Sequence, residues 1–145
     1  MKNKTKSQVS LEFLIVLSAL VVFLSAFLPI YSQTQEKARE KIVGAAQEMA
    51  FRQIVALAEQ AEVLGKRSSL SAEVRFYADN TSLSFDDSGG VLIMRFGNGL
   101  KLQELNETLG FPLKTPSGVF EKGVFEAKAI YEEDLELVLS KESQE

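Results

Sequence analysis

The feature that most constrains this chain is an apolar run near its N-terminus. The run extends from Phe13 to Ile30 and contains eighteen residues without a single charge. As an α-helix it would be about 27 Å long, at about 1.5 Å per residue, which is close to the hydrocarbon thickness of a bilayer. Its apolar residues occupy every side of that helix, whereas a helix packed on a small soluble domain needs only one apolar face. The run therefore predicts a helix that inserts into a membrane.

The charges around the run indicate its orientation. Lys2, Lys4 and Lys6 precede it, and no acidic residue occurs before Glu12. Because positive charge is retained on the cytoplasmic side, we expect the N-terminus in the cytoplasm and the remainder of the chain, from Ser32 onward, outside. The bulky residues behind the run do not form the small-x-small cleavage site of a secretory signal. We therefore expect the run to remain in the mature protein.

The residues just before the run read Gln8-x-Ser10-x-Glu12-Phe13. Together with the lysine-rich leader and the apolar helix, this pattern resembles the class III signal peptide of archaeal type IV pilin-like proteins. The resemblance covers Lys2 to about Ile30 and implies that a prepilin peptidase cleaves between Ser7 and Gln8. It also implies that Gln8, Ser10, Glu12 and Phe13 form the motif for processing and assembly.

Glu12 has two interpretations, because a carboxylate beside a spanning helix needs a cation or must become neutral. In the first, it lies at the membrane interface, near the capping hydroxyl of Ser10 and the positive end of the helix dipole. In the second, which the resemblance implies, it pairs with the free N-terminal amine that cleavage creates at Gln8. We favour the second interpretation.

The composition argues against several functions. The chain has no cysteine and no histidine. Disulfides and thiolate metal sites are therefore impossible, and the usual general base is missing. Ser68, Ser69 and Ser71 have no histidine to activate them, so we expect no catalytic residue, no cofactor and no enzyme. Loss of the three leader lysines would change the net charge from −4 to −7, which argues against nucleic-acid binding.

The helix is predicted to continue beyond the apolar run. Pro29 predicts a bend, because it lacks an N–H and crowds the carbonyl of Ser25; the alternative is that it ends the membrane helix. From Lys41 to Leu64, apolar residues recur every three or four positions and predict an amphipathic helix that ends at Gly65. The stripe contains Val43, Ala46, Ala50, Ile54, Leu57, Ala61 and Leu64, and Ile42, Met49 and Phe51 widen it. Gln47 is assigned to the polar side.

After Gly65 the period changes to two, which predicts strands. We expect one strand from Leu70 to Ala78, a turn at Asn80 to Ser82 and a short strand at Leu83 to Phe85. A hairpin connection at Asp86 to Gly90 is expected to lead to a strand from Val91 to Phe96. Gly97 to Gly99 should then turn the chain into Leu100 to Leu102. Residues 103–118 are expected to form a loop, followed by strands at Val119–Phe120, Val124–Tyr131 and Leu135–Leu139.

The predicted fold class is therefore α+β. A long N-terminal helix, apolar in its first half and amphipathic in its outer half, is followed by a small, mostly antiparallel sheet. The expected organisation is a cleaved leader over residues 1–7, an apolar membrane or filament-core helix over 8–31, an amphipathic helix packed on the sheet over 32–65, and an extracellular β-rich domain over 66–145.

Three groups of polar residues could carry binding or modification. Asp79, Asp86 and Asp87 could gather a calcium ion, but their spacing fits turns better, so no metal is expected. The acidic run Glu132 to Asp134 could meet a basic partner, but it fits a solvated turn better. Asn80 and Asn106 begin glycosylation sequons on the outside, in an expected turn or loop context, whereas Asn3 begins one on the cytoplasmic side.

The leading hypothesis is a structural subunit, a pilin, of an archaeal type IV pilus-like surface filament. Its expected partners are the prepilin peptidase, the membrane before assembly, the pilus assembly machinery and other copies of itself, which pack helix against helix. One alternative is a minor pilin or a membrane-anchored extracellular binding module with the same leader. Another, less favoured, is an archaellum filament subunit.

Overall fold

In a computed structural model, the backbone is described for residues 4–98 and 101–141, and the side chains for residues 11–97 and 101–141. The chain divides into two units, Met1–Arg39 and Glu40–Glu145. The described residues form one long α-helix, α1, and seven β-strands. The predicted α+β class, with a long N-terminal helix followed by antiparallel sheet, is confirmed.

Helix α1 runs from Lys4 to Leu64 and continues through Pro29. The alternative in which Pro29 ends the helix is therefore wrong. The helix stops at Gly65, which has a φ of 79° and donates its N–H to the carbonyls of Ala61 and Glu62, each at 3.1 Å. Glycine adopts this left-handed conformation without steric cost, so the predicted helix stop is confirmed.

The first unit contains only the N-terminal part of α1. Every described side chain in it, over residues 11–39, is exposed. Within this unit the helix is thus formed by its own backbone hydrogen bonds alone.

The second unit contains the rest of α1 and two sheets. The strands are β1 (Ser68–Phe76), β2 (Thr81–Asp86), β3 (Val91–Asn98), β4 (Lys101–Thr108), β5 (Val119–Phe120), β6 (Gly123–Tyr131) and β7 (Leu135–Lys141). One sheet has the order β1-β6-β7 and the other β4-β3-β2-β5, and all named neighbours are antiparallel. The expectation of one small sheet is corrected to two.

The core of the second unit forms between one face of α1 and the inner faces of both sheets. Its largest buried apolar side chains include Ile54 on the helix, Phe76 on β1, Leu92, Met94 and Phe96 on β3, and Leu137 on β7. Phe76, Phe120 and Phe125 pack against one another with ring centroids 5.1 to 6.0 Å apart. A single apolar cluster therefore joins the helix to both sheets.

The amphipathic pattern of α1 is correct in its centre and wrong at its margins. Ala50, Phe51, Ile54, Leu57 and Ala61 are buried. Leu64, in the last turn, is instead 62% exposed, because the helix ends there and the chain turns away. Ile42 and Met49 are also exposed, at 68% and 69%, so they do not widen the buried face, whereas Gln47, assigned to the polar side, is fully buried.

The main error in the strand predictions concerns β4. Residues 103–108, expected in a loop, continue this strand, because β4 is an edge strand on which almost every side chain is exposed and no apolar alternation exists. Thr81 and Ser82 lie in β2 rather than in a turn, so β2 is longer than expected. Strand β3 includes Gly97 and Asn98. Gly99, the rest of the expected turn, and Leu100, the start of the next expected strand, lie outside the described residues.

The loop between β4 and β5 follows the outer edge of β7. Lys114 forms a parallel bridge with Glu136; its N–H donates to the carbonyl of Leu135 at 2.9 Å, and the N–H of Leu137 donates to the carbonyl of Lys114 at 2.8 Å. The Lys114 ammonium is 2.7 Å from the Asp134 carboxylate. We call residues 113–115 the strap, because they cover part of the edge of β7.

Candidate functional site

The candidate functional site is the apolar surface of α1 in the first unit. An 18-residue window of the helix has a mean hydropathy of 2.7, and none of that window is buried. The exposed large hydrophobic side chains there are Leu11, Phe13, Leu14, Ile15, Val16, Leu17, Leu20, Val21, Val22, Phe23, Leu24, Phe27, Leu28, Ile30 and Tyr31. By length and composition this helix can cross a bilayer.

The exposure of these side chains is unfavourable in water. Withdrawing one Leu, Ile, Val or Phe side chain from water contributes about 1.5–3 kcal/mol, and contiguous apolar patches of this kind mark membrane or protein contacts. The surface surrounds the helix and is not confined to one stripe. It therefore needs an apolar environment on all sides, which lipid or several neighbouring helices can supply.

The polar groups inside the run are satisfied by the helix itself. The hydroxyl of Ser18 donates to the carbonyl of Leu14 at 2.6 Å, and that of Ser25 donates to the carbonyl of Val22 at 2.9 Å. A hydroxyl bonded in this way needs no water partner. The two serines therefore do not prevent the run from entering an apolar environment.

The C-terminal end of the run carries a row of aromatic side chains that ends in a tyrosine. The rings of Phe23, Phe27 and Tyr31 form a row with centroid separations of 5.9 and 6.2 Å. The Tyr31 hydroxyl accepts a hydrogen bond from Gln35 Nε2 at 2.7 Å. Tyrosine is enriched at the membrane–water interface because its ring is apolar and its hydroxyl is polar. Tyr31 thus separates the uncharged run from the polar helix that follows.

The residues of the processing motif lie at the N-terminal end of α1. Residues 7 to 13 are helical, but the side chains of Ser7, Gln8 and Ser10 lie outside the described ones. Glu12 is exposed, and Phe13 is 65% exposed. Cleavage at Ser7–Gln8 and the pairing of Glu12 with a new N-terminal amine stay predictions.

The two sequons on the second unit begin at exposed asparagines. Asn80, with a φ of 56°, lies in the bend just before β2. Asn106 lies within β4, opposite Ile93 of β3, so its expected turn or loop context is wrong. Both remain open to modification because their side chains are exposed. Their glycosylation stays a prediction.

Two of the three aspartates that could gather a calcium ion, Asp79 and Asp86, accept hydrogen bonds from the protein. Asp86 Oδ1 accepts bonds from the Ser88 hydroxyl at 2.6 Å and the Ser88 N–H at 3.0 Å, and these bonds lower the pKa of Asp86. Asp79 Oδ1 accepts the N–H of Lys122 at 3.3 Å. Among the residues that the structure describes, no three acidic side chains form a metal-binding group.

No family model, curated protein or solved structure matches this chain.

The second unit contains an open cavity of about 580 Å³. It is lined by two basic residues, Lys66 and Arg67, and two acidic ones, Glu132 and Glu133, together with Ser68, Ser69 and Ile130. Asp134, the third member of the acidic run, pairs with Lys114, whose side-chain hydrogen bond and charge lower the pKa of Asp134. The run is thus partly engaged within its own domain.

A buried polar site at Gln47 was not found by the sequence analysis. Its Nε2 donates to Thr81 Oγ1 at 3.0 Å, and its Oε1 accepts the N–H groups of Tyr77 at 3.0 Å and Ala78 at 3.4 Å. Gln47 therefore provides a hydrogen-bond acceptor for two backbone N–H groups where the chain passes from β1 to β2. A glutamine at a core position of the helical pattern, one turn before Ala50 and Phe51, was the available signal.

Proposed function

We infer that this chain is a structural subunit, a pilin, of an archaeal type IV pilus-like surface filament. In this proposal a prepilin peptidase trims the leader between Ser7 and Gln8. The apolar helix anchors the mature chain in the membrane before assembly. The same helix then packs against other subunits in the filament. The observation that carries the proposal is an apolar helix surface that is exposed on every side, directly behind the Gln8 to Phe13 motif.

The apolar surface suits the two successive environments that this function requires. Lipid surrounds the helix before assembly, and the apolar helices of neighbouring subunits replace lipid afterwards. A helix that needed only one apolar neighbour would not need an apolar surface on all sides. The internally bonded hydroxyls of Ser18 and Ser25 support both environments, because neither side chain needs water.

The second unit fits the outer part of such a subunit. It has its own apolar core, so it does not depend on the first unit for burial of its hydrophobic residues. Most of the exposed side chains on its strands are charged or polar, with Leu102 and Val119 as exposed apolar ones. The exposed sequons at Asn80 and Asn106 agree with an extracellular location.

The alternative is a minor pilin or a membrane-anchored binding module with the same leader. The observation that favours it is the open cavity between Lys66, Arg67, Glu132 and Glu133, which could receive a ligand that carries both charges. This alternative requires the same cleavage and the same membrane helix. It differs from the filament proposal only in the abundance of the subunit and in its assembly.

Electron microscopy of surface filaments from the native organism, with subunits identified by intact mass, tests the proposal. Filaments composed mainly of this chain are the expected result. Good expression of a processed, membrane-bound chain without filaments that contain it would favour the binding module instead. Filaments in which this chain is only a trace component would assign it as a minor pilin.

A further inference from the structure

Among the residues that the structure describes, the first strand of the three-stranded sheet has a strand neighbour on one side only. Strand β1 pairs with β6 on one side only, whereas the outer edge of β7 is partly covered by the strap and β5 has only two residues. Beside β1 is a groove of about 410 Å³, lined by Ala46, Met49, Ala50 and Gln53 of α1 and by Glu73, Arg75 and Tyr77. The exposed side of β1 thus borders an open groove, not another named strand.

The backbone direction at this edge follows from Tyr77. Its N–H donates to Gln47 Oε1 and so points away from β6. Because backbone groups alternate along a strand, the N–H and C=O groups of Arg75 and Glu73 also point to the open side. Gln47 occupies the place of a strand partner at Tyr77, and within residues 68–76 the open side has no named strand beside it.

The exposed edge of β1 carries one negative and one positive side chain two residues apart. Glu73 and Arg75 are both exposed and flank the buried Val74. On the neighbouring strand β6, Glu73 lies opposite Glu126, which carries the same charge. The cation nearest to Glu126, Lys128, is paired with Glu126 itself at 3.2 Å. No ion pair involves Glu73 or Arg75 among the residues that the structure describes.

We propose that β1 pairs with β1 of a second copy of this chain, antiparallel about a two-fold axis at Val74. In this register residues 72–76 of the two copies pair, because Gln47 occupies the place opposite Tyr77. Glu73 of each copy then lies opposite Arg75 of the other, so two ion pairs form. The same register makes Glu73 and Arg75 the hydrogen-bonded pair, as the direction of their backbone groups requires. Shifting the partner by two residues either way places Glu73 opposite Glu73 or Arg75 opposite Arg75, which repel.

The pairing joins the two three-stranded sheets into one of six strands. Because the same surface of each copy is used, the contact closes at two and does not generate an open chain. It is therefore separate from the contact that polymerises a filament. Charged side chains on an edge strand disfavour pairing with most other strands. On β1 they favour a second copy of the same strand, because its charges are complementary in this register.

Charge reversal in the full-length chain tests the pairing. A cysteine placed by Ser84→Cys, on an exposed site of a chain without cysteines, carries a donor or an acceptor dye. Association is measured by energy transfer in detergent, with micelles in large excess over chains. Glu73→Arg alone and Arg75→Glu alone should each weaken association about tenfold, because both ion pairs become like-charge contacts.

Three further samples make the test specific. An equimolar mixture of the two single variants, and the double variant Glu73→Arg/Arg75→Glu, should each restore association to within about threefold of the original chain, because both recover opposite charges. Glu107→Arg, the same charge change on the edge strand β4, should leave association unchanged. Unchanged association in both single variants, or a mixture no tighter than either variant alone, would overturn the proposal.

The pairing and the filament proposal fail separately. Glu73→Arg should leave the number of filaments and the mature N-terminus unchanged, since β1 is not part of the apolar helix. A chain that pairs through β1 but forms no filaments would contradict the proposed function only. A chain that forms filaments and shows no charge-dependent pairing would contradict the β1 contact only.

Discussion

Two stretches of helix α1 share one secondary structure and differ completely in burial. From Leu11 to Tyr31 the helix is almost wholly apolar and entirely exposed, whereas from Gln47 to Ala61 it contains many polar residues and seven of its side chains are buried. Hydropathy alone does not decide burial, because a glutamine is buried in one stretch and isoleucines are exposed in the other. The buried face of the second stretch packs against the protein's own sheets. The apolar side chains of the first stretch are all exposed, so their burial requires lipid or other molecules.

The largest expected effect concerns the apolar stretch and its single carboxylate. Glu12→Ala should leave membrane insertion and leader cleavage intact, because a polar group is removed from the edge of a spanning helix. Assembly should weaken about 10²- to 10⁴-fold per subunit, because the new N-terminal ammonium at Gln8 would enter the filament core without a counter-charge. Filament counts by electron microscopy measure this effect.

Glu36→Ala is the matched control for Glu12. It removes a carboxylate from the same helix, outside the apolar run, and should leave filament numbers unchanged. Normal filament numbers in the Glu12→Ala strain would mean that Glu12 only interacts with the helix dipole at the interface and that the pairing mechanism is wrong.

Two isoleucines in the same helix sharpen the comparison. Ile54 is fully buried and Ile15 is 61% exposed. Ile54→Ala should lower the free energy of unfolding of the second unit by about 2–5 kcal/mol, because it leaves a cavity in the core. Ile15→Ala should change that free energy by less than about 0.5 kcal/mol. Hydrogen exchange of strand amides in detergent measures the free energy of unfolding of both variants. Equal losses in the two variants would contradict the claim that only the second stretch packs on the sheets.

A smaller effect is expected from the buried glutamine. Gln47→Leu keeps the volume approximately but leaves the N–H of Tyr77 and the hydroxyl of Thr81 without this partner. Such loss costs about 1–3 kcal/mol of unfolding free energy. Gln53→Leu, on an exposed position of the same helix, is the control and should be nearly neutral. Urea unfolding followed by far-ultraviolet circular dichroism compares them, and a neutral Gln47→Leu would mean that water replaces the amide.

The smallest effect is a pH response confined to the second unit. Lys114 lowers the pKa of Asp134, so their pairing stabilises the strap above the ordinary carboxyl pKa of about 3.9 and is lost as pH falls through the lowered pKa. Asp134 raises the pKa of Lys114, so the contribution is also present below about 10.4 and is lost as pH rises through the raised value.

Hydrogen-exchange protection of the Lys114 amide should therefore decrease at both pH extremes. Asp134→Asn should remove most of this dependence, since the carboxylate is its main cause. The uncharged run from Phe13 to Ile30 has no side chain that titrates there, so its protection should remain constant. An Asp134→Asn variant with an unchanged pH profile would exclude the ion pair as the cause.

The predictable parts of the fold are those in which pattern and environment agree. The helix stop at Gly65 and the alternation of Val74 and Phe76 were correct, because backbone strain and one-sided burial act locally. Strand β4 was missed because an edge strand with two exposed faces has no apolar period. Gln47 was missed because its partners lie 30 to 34 residues away in the chain, at Tyr77 and Thr81. The two-sheet arrangement likewise depends on pairings between distant residues.

The candidate site followed more directly from the sequence than the sheets did. An uncharged run of eighteen residues specifies its environment by composition, and no tertiary contact was needed to find it. The self-complementary edge at Glu73 and Arg75 could not be found in this way. These two charges matter for pairing only because β1 is an edge strand, and this is known only from the order of strands in the sheet.

The most direct test of the central claim is the intact mass of the mature protein from native membranes or filaments. The apolar stretch of α1 is proposed to be the part that functions, so it must be retained after processing. The mass should correspond to a chain that begins at Gln8, with any added glycan removed enzymatically or chemically before measurement. A mature chain that begins beyond Tyr31 would show that the apolar run is only a discarded signal and would contradict the account.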